Sequence, residues 1–164
     1  MNTALSTQTT SPLDASPVRF ADQPFYDETL TLLRSTRDHD FDALAQLCDD
    51  DFGIVGIGPS GTPRPIRSRK EWEDWFSSLF SALRAVNADT DTTILDYKAV
   101  RSGPFGFSAL EYRQTLALEG LVASFECIAT IVWKLTPDGW REARWHASVI
   151  SSDVPEALMA SAAA

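Results

Sequence analysis

The sequence predicts an α+β domain in which three helices come before an antiparallel β-sheet and cover one of its faces. Three observations support this class: helical periodicity in the first half of the chain, long strand-like stretches in the second half, and a tight-turn sequence between the last two stretches. The length of 164 residues fits a single domain. With 44% hydrophobic and 23% charged residues, the chain can build a core and does not resemble a disordered polymer.

Apolar residues recur at helical spacing in three segments. The first segment runs from Phe25 to Arg37. The second is shorter and follows Asp40, a residue type that often caps a helix N-terminus. The third begins at Ser68, which is followed three residues later by Glu71, as in a capping box. These patterns predict a helical hairpin and then one long helix.

The strand predictions depend on apolar and β-branched runs that are bounded by turn residues. A short strand is predicted over residues 52–57, and the Gly- and Pro-rich stretch after it is predicted to be a loop as far as Ile66. Four longer strands are predicted at residues 91–101, 105–118, 121–135 and 140–151.

The ends of the chain are predicted to lie outside the folded domain. Residues 1–22 are rich in Ser, Thr and Pro and are interpreted as a flexible arm. The domain then covers residues 23–152, and residues 153–164 form a tail.

Charge and composition exclude several classes of function. The formal net charge of −9 gives no general support for binding to a phosphate backbone, so nucleic acid is not an expected partner. No apolar run reaches the roughly 18 to 20 residues that span a bilayer, and no secretory signal is recognised, so no membrane partner is expected and a cytoplasmic location is predicted. Cys48 and Cys127 lie in apolar stretches without metal-ligand spacing, which predicts buried free thiols, no metal and no cofactor.

The turn at residues 136–139 (TPDG) predicts how the last two strands pair. Pro suits the fixed φ of a type I turn, and Gly suits the left-handed position of a bulged hairpin. If Thr136 pairs with Trp140, then Lys134 lies opposite Glu142 as a cross-strand ion pair.

This register gives the last two strands two different faces. One face is almost wholly apolar, includes Phe125 and Trp145, and is expected to lie beneath the helices. The other face mixes charged groups with apolar residues such as Ile128 and Val132, as subunit contacts do. The sequence therefore predicts a homodimer through the outer face of the sheet, with His146 in a structural position on that face.

Several stretches resemble the nuclear transport factor two-like superfamily, in its polyketide-cyclase-like (SnoaL-like) branch. They are DDDFGIVGIG at 49–58, the helix after SRKEW, and VWKLTPDGWREARWHAS at 132–148. The resemblance covers residues 25–150. TTIL at 92–95, with the spacing of Gly139, Trp140, His146 and Ser148, is also similar to the association domain of calcium/calmodulin-dependent kinase. The resemblance implies a cone-shaped, curved antiparallel sheet on three helices, a cystatin-like roll, with a pocket inside and dimers through the outer face.

The pocket arginines of those association domains correspond here to Arg113, Ile131 and Ala147, so only one of the three positions is basic. The orientation of Arg113 depends on the turn near Gly120. A two-residue turn places Arg113 on the outer face opposite Glu126, whereas a bulged turn places it inside. The resemblance favours the inward orientation.

Glu111 and Arg113 are the predicted catalytic residues. A carboxyl group held in an apolar cavity has a raised pKa, which suits proton abstraction from carbon, and the resemblance implies isomerases, cyclases and dehydratases of this kind. The predicted ligand-binding residues are Trp72, Trp75, Tyr97, Tyr112, Phe125, Cys127, Ile131, Trp133 and Trp145. The aromatic members of this set equally suit plain core packing.

Three functions remain open at this point. The first is the binding of a small, largely apolar organic molecule. The alternative is a cofactor-independent isomerase, cyclase or dehydratase that uses general acid–base catalysis. The second alternative is an oligomeric assembly module.

Overall fold

The computed structural model describes residues 11–14, 18–57 and 63–158. After a 3-10 turn at Val18–Phe20, the α-helices and strands are α1 (Tyr26–Arg37), α2 (Phe41–Leu47), β1 (Cys48–Ile57), β2 (Pro63–Ile66), α3 (Arg69–Ala85), β3 (Asp89–Ser102), β4 (Phe105–Leu118), β5 (Leu121–Thr136) and β6 (Gly139–Asp153). All six strands form one sheet in the order β2-β1-β6-β5-β4-β3. The predicted α+β class is confirmed, with the three helices packed on one face of a curved sheet.

The helix starts follow the capping residues in the sequence. Asp40 accepts a hydrogen bond from the backbone N–H of Ala43 at 3.0 Å, at the start of α2. Ser68 accepts one from the N–H of Glu71 at 3.2 Å, and the Glu71 carboxylate accepts one from the N–H of Arg67 at 2.7 Å. These bonds satisfy N–H groups that have no partner within the first turn of a helix.

The N-terminal part of the sheet differs from the prediction. β1 begins at Cys48 and pairs in parallel with β6, so the sheet is not purely antiparallel. β2 lies within the predicted loop and pairs with β1, with Ile54 opposite Ile66. β2 is the edge strand, where prolines are tolerated because one side of the strand needs no hydrogen-bond donors.

Three single-residue bulges bend the long strands. Leu95 is the extra residue of β3, and Ala143 and Ile150 are the extra residues of β6. A bulge bends its strand and increases the local twist, which helps the sheet curve around the helices as a cone.

The turn between β4 and β5 has two residues, Glu119 and Gly120, both with positive φ (53° and 80°). Leu118 therefore pairs directly with Leu121. Positive φ at both central positions is the geometry of a type I′ hairpin, in which Gly is favoured. Because no residue is bulged here, every second residue of β4, including Arg113, points to the outer face.

The turn between β5 and β6 is one residue shorter than predicted. Thr136 pairs with Gly139 rather than with Trp140. The bulge at Ala143 then restores the predicted register, so that Ile131 lies opposite Trp145 as expected. Two stretches are displaced by one residue from the prediction: the pairs between the turn and the bulge at Ala143, and the pairs beyond the bulge at Ile150.

Part of the predicted N-terminal arm packs against the domain. Leu13 is fully buried and Phe20 is 5% exposed. The Ser11 hydroxyl donates a hydrogen bond to the Asp91 carboxylate of β3 at 2.8 Å. The other residues of that arm, 1–10 and 15–17, lie outside the described residues.

The described part of the C-terminal tail follows β6 and ends in a helical turn at residues 156–158. Among the helices in the described ranges, none combines the length and apolar character that crossing a membrane requires.

Candidate functional site

The interior between the sheet and the helices contains all nine residues predicted to bind a ligand. Six are buried in one apolar cluster, namely Trp72, Tyr97, Tyr112, Cys127, Ile131 and Trp133. The other three, Trp75, Phe125 and Trp145, are partly buried and pack against that cluster. The apolar face of β5 and β6 therefore points toward the helices, as the hairpin register predicted.

Glu142 is the acidic residue that the structure places in this interior. Its side chain is 1% exposed. It lies on β6 between Trp133 of β5 and Cys48 of β1, which are its cross-strand neighbours. Its Oε2 atom is buried without a hydrogen-bond partner among the described residues.

The predicted pairing of Glu142 with Lys134 is wrong. Lys134 lies opposite Arg141, and its ammonium group contacts the Asp49 carboxylate at 2.9 Å instead. The short turn and the bulge at Ala143 together rotate Glu142 from the outer face to the inner face, because side chains alternate along a strand. In the described ranges, no cationic side chain lies within 4 Å of the Glu142 carboxylate.

Burial determines the protonation of this site. Loss of solvation raises the pKa of Glu142 from its ordinary value of 4.5 to about 8. Burial, and after it the nearby Glu142 carboxylate, raises the pKa of the Cys48 thiol above its usual range. At neutral pH, Glu142 is therefore mainly a neutral carboxylic acid that can donate a hydrogen bond, and Cys48 is a neutral thiol.

Two indole N–H groups in the same interior also lack acceptors among the described residues. They belong to Trp72 and Trp145. Trp133 differs, since its Nε1 donates to the Ser108 hydroxyl at 2.9 Å. Most buried polar groups in proteins have partners, so each unpartnered donor here indicates unused hydrogen-bonding capacity.

Tyr97 and Tyr112 have structural contacts that account for their hydroxyl groups. The Tyr97 hydroxyl donates to the backbone oxygen of Pro24 at 2.9 Å. Tyr112 lies opposite Cys127, and its hydroxyl interacts with the Cys127 thiol. Burial raises the pKa of Tyr112 and that of Cys127, so neither group ionises near neutral pH.

Glu111 and Arg113 do not point into the interior, and the inward orientation favoured for Arg113 is wrong. Nη2 of Arg113 lies 2.7 Å from Oε1 of Glu126, and both side chains are more than 40% exposed. Glu111 is exposed on the same outer face, in register with Ile128. The two-residue turn at Glu119 and Gly120 causes this orientation, so neither predicted catalytic residue can touch a molecule held between sheet and helices.

The described residues form no metal site. Within residues 11–14, 18–57 and 63–158, no group of three His, Cys, Asp or Glu side chains is arranged to hold a metal ion.

The outer face of the sheet exposes large apolar side chains. We call Val100, Phe105, Phe107 and Ile128 the outer apolar patch; each is at least 40% exposed. Val100 lies opposite Phe107 on the neighbouring strand. Exposed apolar clusters of this kind are common at contacts with other molecules.

The model of the SnoaL-like domain family matches residues 30–152. A candidate dehydratase of the NTF2-like family from Streptomyces avermitilis has a similar structure, with a TM-score of 0.64 and 18% identity, over 75% of this chain and 91% of that one. The β subunit of benzoate 1,2-dioxygenase from Burkholderia mallei gives a TM-score of 0.65 and 12% identity, over 77% and 91% of the two chains.

A candidate calcium/calmodulin-dependent protein kinase II association domain from Xanthomonas campestris is also similar. It has a TM-score of 0.60 and 16% identity, over 77% of this chain and 84% of that one. None of the curated proteins compared with this chain matches it. At these identities, the similarities establish the shared fold and leave the chemistry to be argued from this chain's own residues.

Proposed function

The chain belongs to the SnoaL-like domain family, and we propose that its interior binds a small, largely apolar organic molecule that hydrogen-bonds to Glu142. The observation that carries this proposal is a carboxyl group that is 1% exposed and has one oxygen without a partner among the described residues. Leaving a buried polar atom unpaired costs about 1–3 kcal/mol. A ligand that supplies the missing partner offsets this cost.

The surroundings of Glu142 favour a neutral ligand with an acceptor oxygen. A protonated carboxyl group donates to a carbonyl or hydroxyl oxygen, and no cation within 4 Å, among the described residues, holds Glu142 in its charged form. The indole N–H groups of Trp72 and Trp145 provide further donors in the same apolar interior. Apolar walls with a few polar groups are typical of small-molecule sites.

The binding proposal is tested with two naphthalene probes of similar size. 2-Acetylnaphthalene carries a carbonyl oxygen, whereas 2-ethylnaphthalene carries none. Titration followed by tryptophan fluorescence is expected to show a tighter Kd for the ketone, by about three- to tenfold for one hydrogen bond. Glu142→Leu is expected to abolish this preference, and Glu142→Gln, which still donates an N–H, is expected to retain it.

Two results contradict this proposal. One is a wild-type protein that binds the ketone no more tightly than the hydrocarbon. The other is a Glu142→Leu protein that keeps the preference for the ketone. Far-UV circular dichroism of each variant checks that the fold is intact.

The second candidate function is general acid–base catalysis by Glu142, of the kind used by isomerases, cyclases and dehydratases. The specific observation in its favour is that burial raises the pKa of this carboxyl to about 8, close to the pH at which proton transfer is most efficient. In this reaction the ionised fraction of Glu142 takes a proton from the carbon next to a carbonyl, and the electron pair of the C–H bond moves to the carbonyl oxygen to form an enolate. Glu142 then returns the proton to another carbon of the same molecule.

Deuterium exchange distinguishes the enzyme from the binding module. The methyl protons of 2-acetylnaphthalene in D2O are expected to exchange faster with the wild-type protein than with Glu142→Gln. Binding without faster exchange supports the binding module and rejects the catalytic role for this class of carbon acid.

We also propose that a second copy of the chain covers the outer apolar patch. Phe107 and Val100 lie side by side on adjacent strands and are 44% and 52% exposed. A face-to-face dimer removes this apolar surface from water. An assembly of more than two copies would favour the oligomeric assembly module instead.

A further inference from the structure

A groove on the outer face of the sheet, at the β2–β1–β6–β5 half, has a volume of about 460 Å³. We call it the outer groove. Its apolar lining comes from Pro65 and Ile66 of β2, Val132 of β5 and Trp145 of β6. Arg67 and Arg144 also line it. The outer apolar patch lies on β3, β4 and β5 of the same face and adjoins the outer groove, since Phe107 of the patch is opposite Val132 of the groove.

The charge of this lining is opposite to that of the chain. The net charge is −9, yet the outer groove is lined by two arginines and by no Asp or Glu among the described residues. A local positive field in an otherwise acidic protein attracts anions.

Hydrogen bonds to the backbone fix the Arg144 side chain and leave some of its N–H donors free. Its Nη1 donates to the backbone oxygens of Asp51 and, at 2.6 Å, Ala143. Its Nη2 lies 3.4 Å from the Asp51 carboxylate, which is 85% exposed and therefore screened by water. A guanidinium has five N–H donors, and the Nε donor has no acceptor among the described residues.

Gly53 keeps the space beside that free donor open. A Cβ atom at this position would lie 3.3 Å from both Cδ and Nε of Arg144. The missing side chain therefore leaves room next to the Nε edge of the guanidinium. The Arg67 guanidinium, at the same groove, also has no side-chain partner in the described part of the chain.

We propose that the outer groove binds small aromatic carboxylates, with the carboxylate on Arg144 and Arg67 and the ring against Ile66, Pro65 and Val132. Arginine suits this role because its planar donors match a carboxylate in a two-point contact. The apolar lining favours a ring over a small inorganic anion such as phosphate. This site lies on the opposite face of the sheet from Glu142 and does not depend on the function proposed for the interior.

Isothermal titration calorimetry with 2-naphthoate and its neutral analogue 2-naphthamide tests the proposal. The wild-type protein is expected to bind the carboxylate at least about tenfold more tightly than the amide, as for a charge-assisted hydrogen bond. Arg144→Gln is expected to remove that preference. Gly53→Ala is expected to weaken 2-naphthoate binding without changing any charge, because its methyl group fills the space beside Nε.

The matched control is Lys98→Gln, which removes one positive charge from β3 of the same sheet, outside the outer groove. It is expected to leave the affinity for 2-naphthoate unchanged. Equal loss of affinity in Lys98→Gln and Arg144→Gln would indicate a general charge effect and would overturn the proposal. Equal affinity of the wild-type protein for acid and amide, or no binding of either, would also overturn it.

Two further results would assign the binding elsewhere. If Glu142→Leu abolishes 2-naphthoate binding while Arg144→Gln does not, the probe binds in the interior and the outer groove is rejected. If the 2-naphthoate affinity falls as the protein concentration rises, a second copy competes for the groove, and the small-carboxylate proposal is rejected in favour of that copy. Each variant is compared with wild type by thermal unfolding, so that a folding defect is recognised.

Discussion

At the scale of single residues, Glu142 carries both the candidate chemistry and a cost in stability. A carboxyl group whose pKa is raised on folding binds more protons in the folded state than in the unfolded state. The stability it contributes is complete below its ordinary pKa of 4.5 and is lost as the pH rises toward about 8. The same burial that prepares Glu142 to donate a hydrogen bond therefore makes the fold less stable in mildly alkaline solution.

The expected outcome is a pH-dependent difference between wild type and Glu142→Gln. Between pH 5 and pH 8, the free energy of unfolding of the wild type should fall relative to that of Glu142→Gln, by up to roughly 1.4 kcal/mol for each pH unit. Urea denaturation at four pH values in this window measures it. Glu111→Gln is the matched control, since Glu111 is exposed and its variant should run parallel to the wild type. A wild-type curve parallel to that of Glu142→Gln would show that the carboxyl is not buried in solution.

Gly106 is a second residue whose identity the packing requires. A Cβ atom here would run into the Phe25 ring and lie 2.6 Å from the backbone oxygen of Val100. The Phe25 ring cannot move easily, because it is stacked 5.7 Å from Trp133 and contacts Trp140 edge-on at 4.8 Å.

Gly106→Ala is therefore expected to lower the free energy of unfolding by about 1–3 kcal/mol, the usual cost of overpacking a core. Gly53→Ala is the control, because the nearest atoms there belong to the flexible side chain of Arg144. It should change stability by less than about 1 kcal/mol. Similar losses in the two variants, measured by urea denaturation, would show that the Phe25 contact is not the cause of the effect.

At the scale of elements, the helices were predictable because their signals are local. Asp40 and Ser68 cap α2 and α3 through hydrogen bonds that span only three residues. The pairing of the β5–β6 hairpin was harder to predict, because TPDG is compatible with two turn lengths. A bulge at Ala143 then returns the strands to the predicted register. The cross-strand charge pair that seemed to support the longer turn was misleading: Lys134 contacts Asp49, a residue 85 positions away.

Glu142 was not predicted as the candidate acid because of the same change in register. A one-residue displacement between a turn and a bulge moves every side chain of that short stretch to the opposite face and leaves the register beyond the bulge unchanged. A glutamate between Trp140 and Ala143, on a strand with an otherwise apolar inner face, was the available indication. The turn at Glu119 and Gly120 likewise decided the orientation of Arg113, and the sequence allowed two forms of that turn.

The β4–β5 turn offers a test of this element-level account. Glu119 has φ 53°, a left-handed conformation that costs a glutamate more than an asparagine. Glu119→Asn creates an Asn-Gly pair, which type I′ turns favour, and is expected to raise the free energy of unfolding by about 0.4–1 kcal/mol. Asp138→Asn in the neighbouring turn serves as a control for the loss of one negative charge. Equal stabilisation by the two changes would attribute the gain to charge rather than to the turn.

At the scale of the whole molecule, the sheet separates two environments. Its inner face is covered by helices and contains Glu142, whereas its outer face exposes the outer apolar patch and the outer groove. The antiparallel pairing of β3 to β6 could be predicted from the alternation of apolar and polar residues and from the turn sequences. The parallel pairing of β1 with β6 could not, because it joins Ile54 to Trp145 across about ninety residues. No local pattern encodes such a partner, and the conical shape was predicted from resemblance rather than from periodicity.

The exposed apolar outer face of the sheet predicts a dimer, and its mass can be measured directly. Light scattering after size exclusion is expected to give twice the 18.1 kDa mass of the chain. Phe107→Glu places a charge in the centre of the outer apolar patch and should yield the monomer, because an unpaired charge is costly at a buried contact. Val86→Glu is the matched control: Val86 is 50% exposed but follows α3, away from the sheet face. A dimer that survives Phe107→Glu, or dissociates equally with Val86→Glu, would place the contact elsewhere, and a mass above two chains would favour the assembly module.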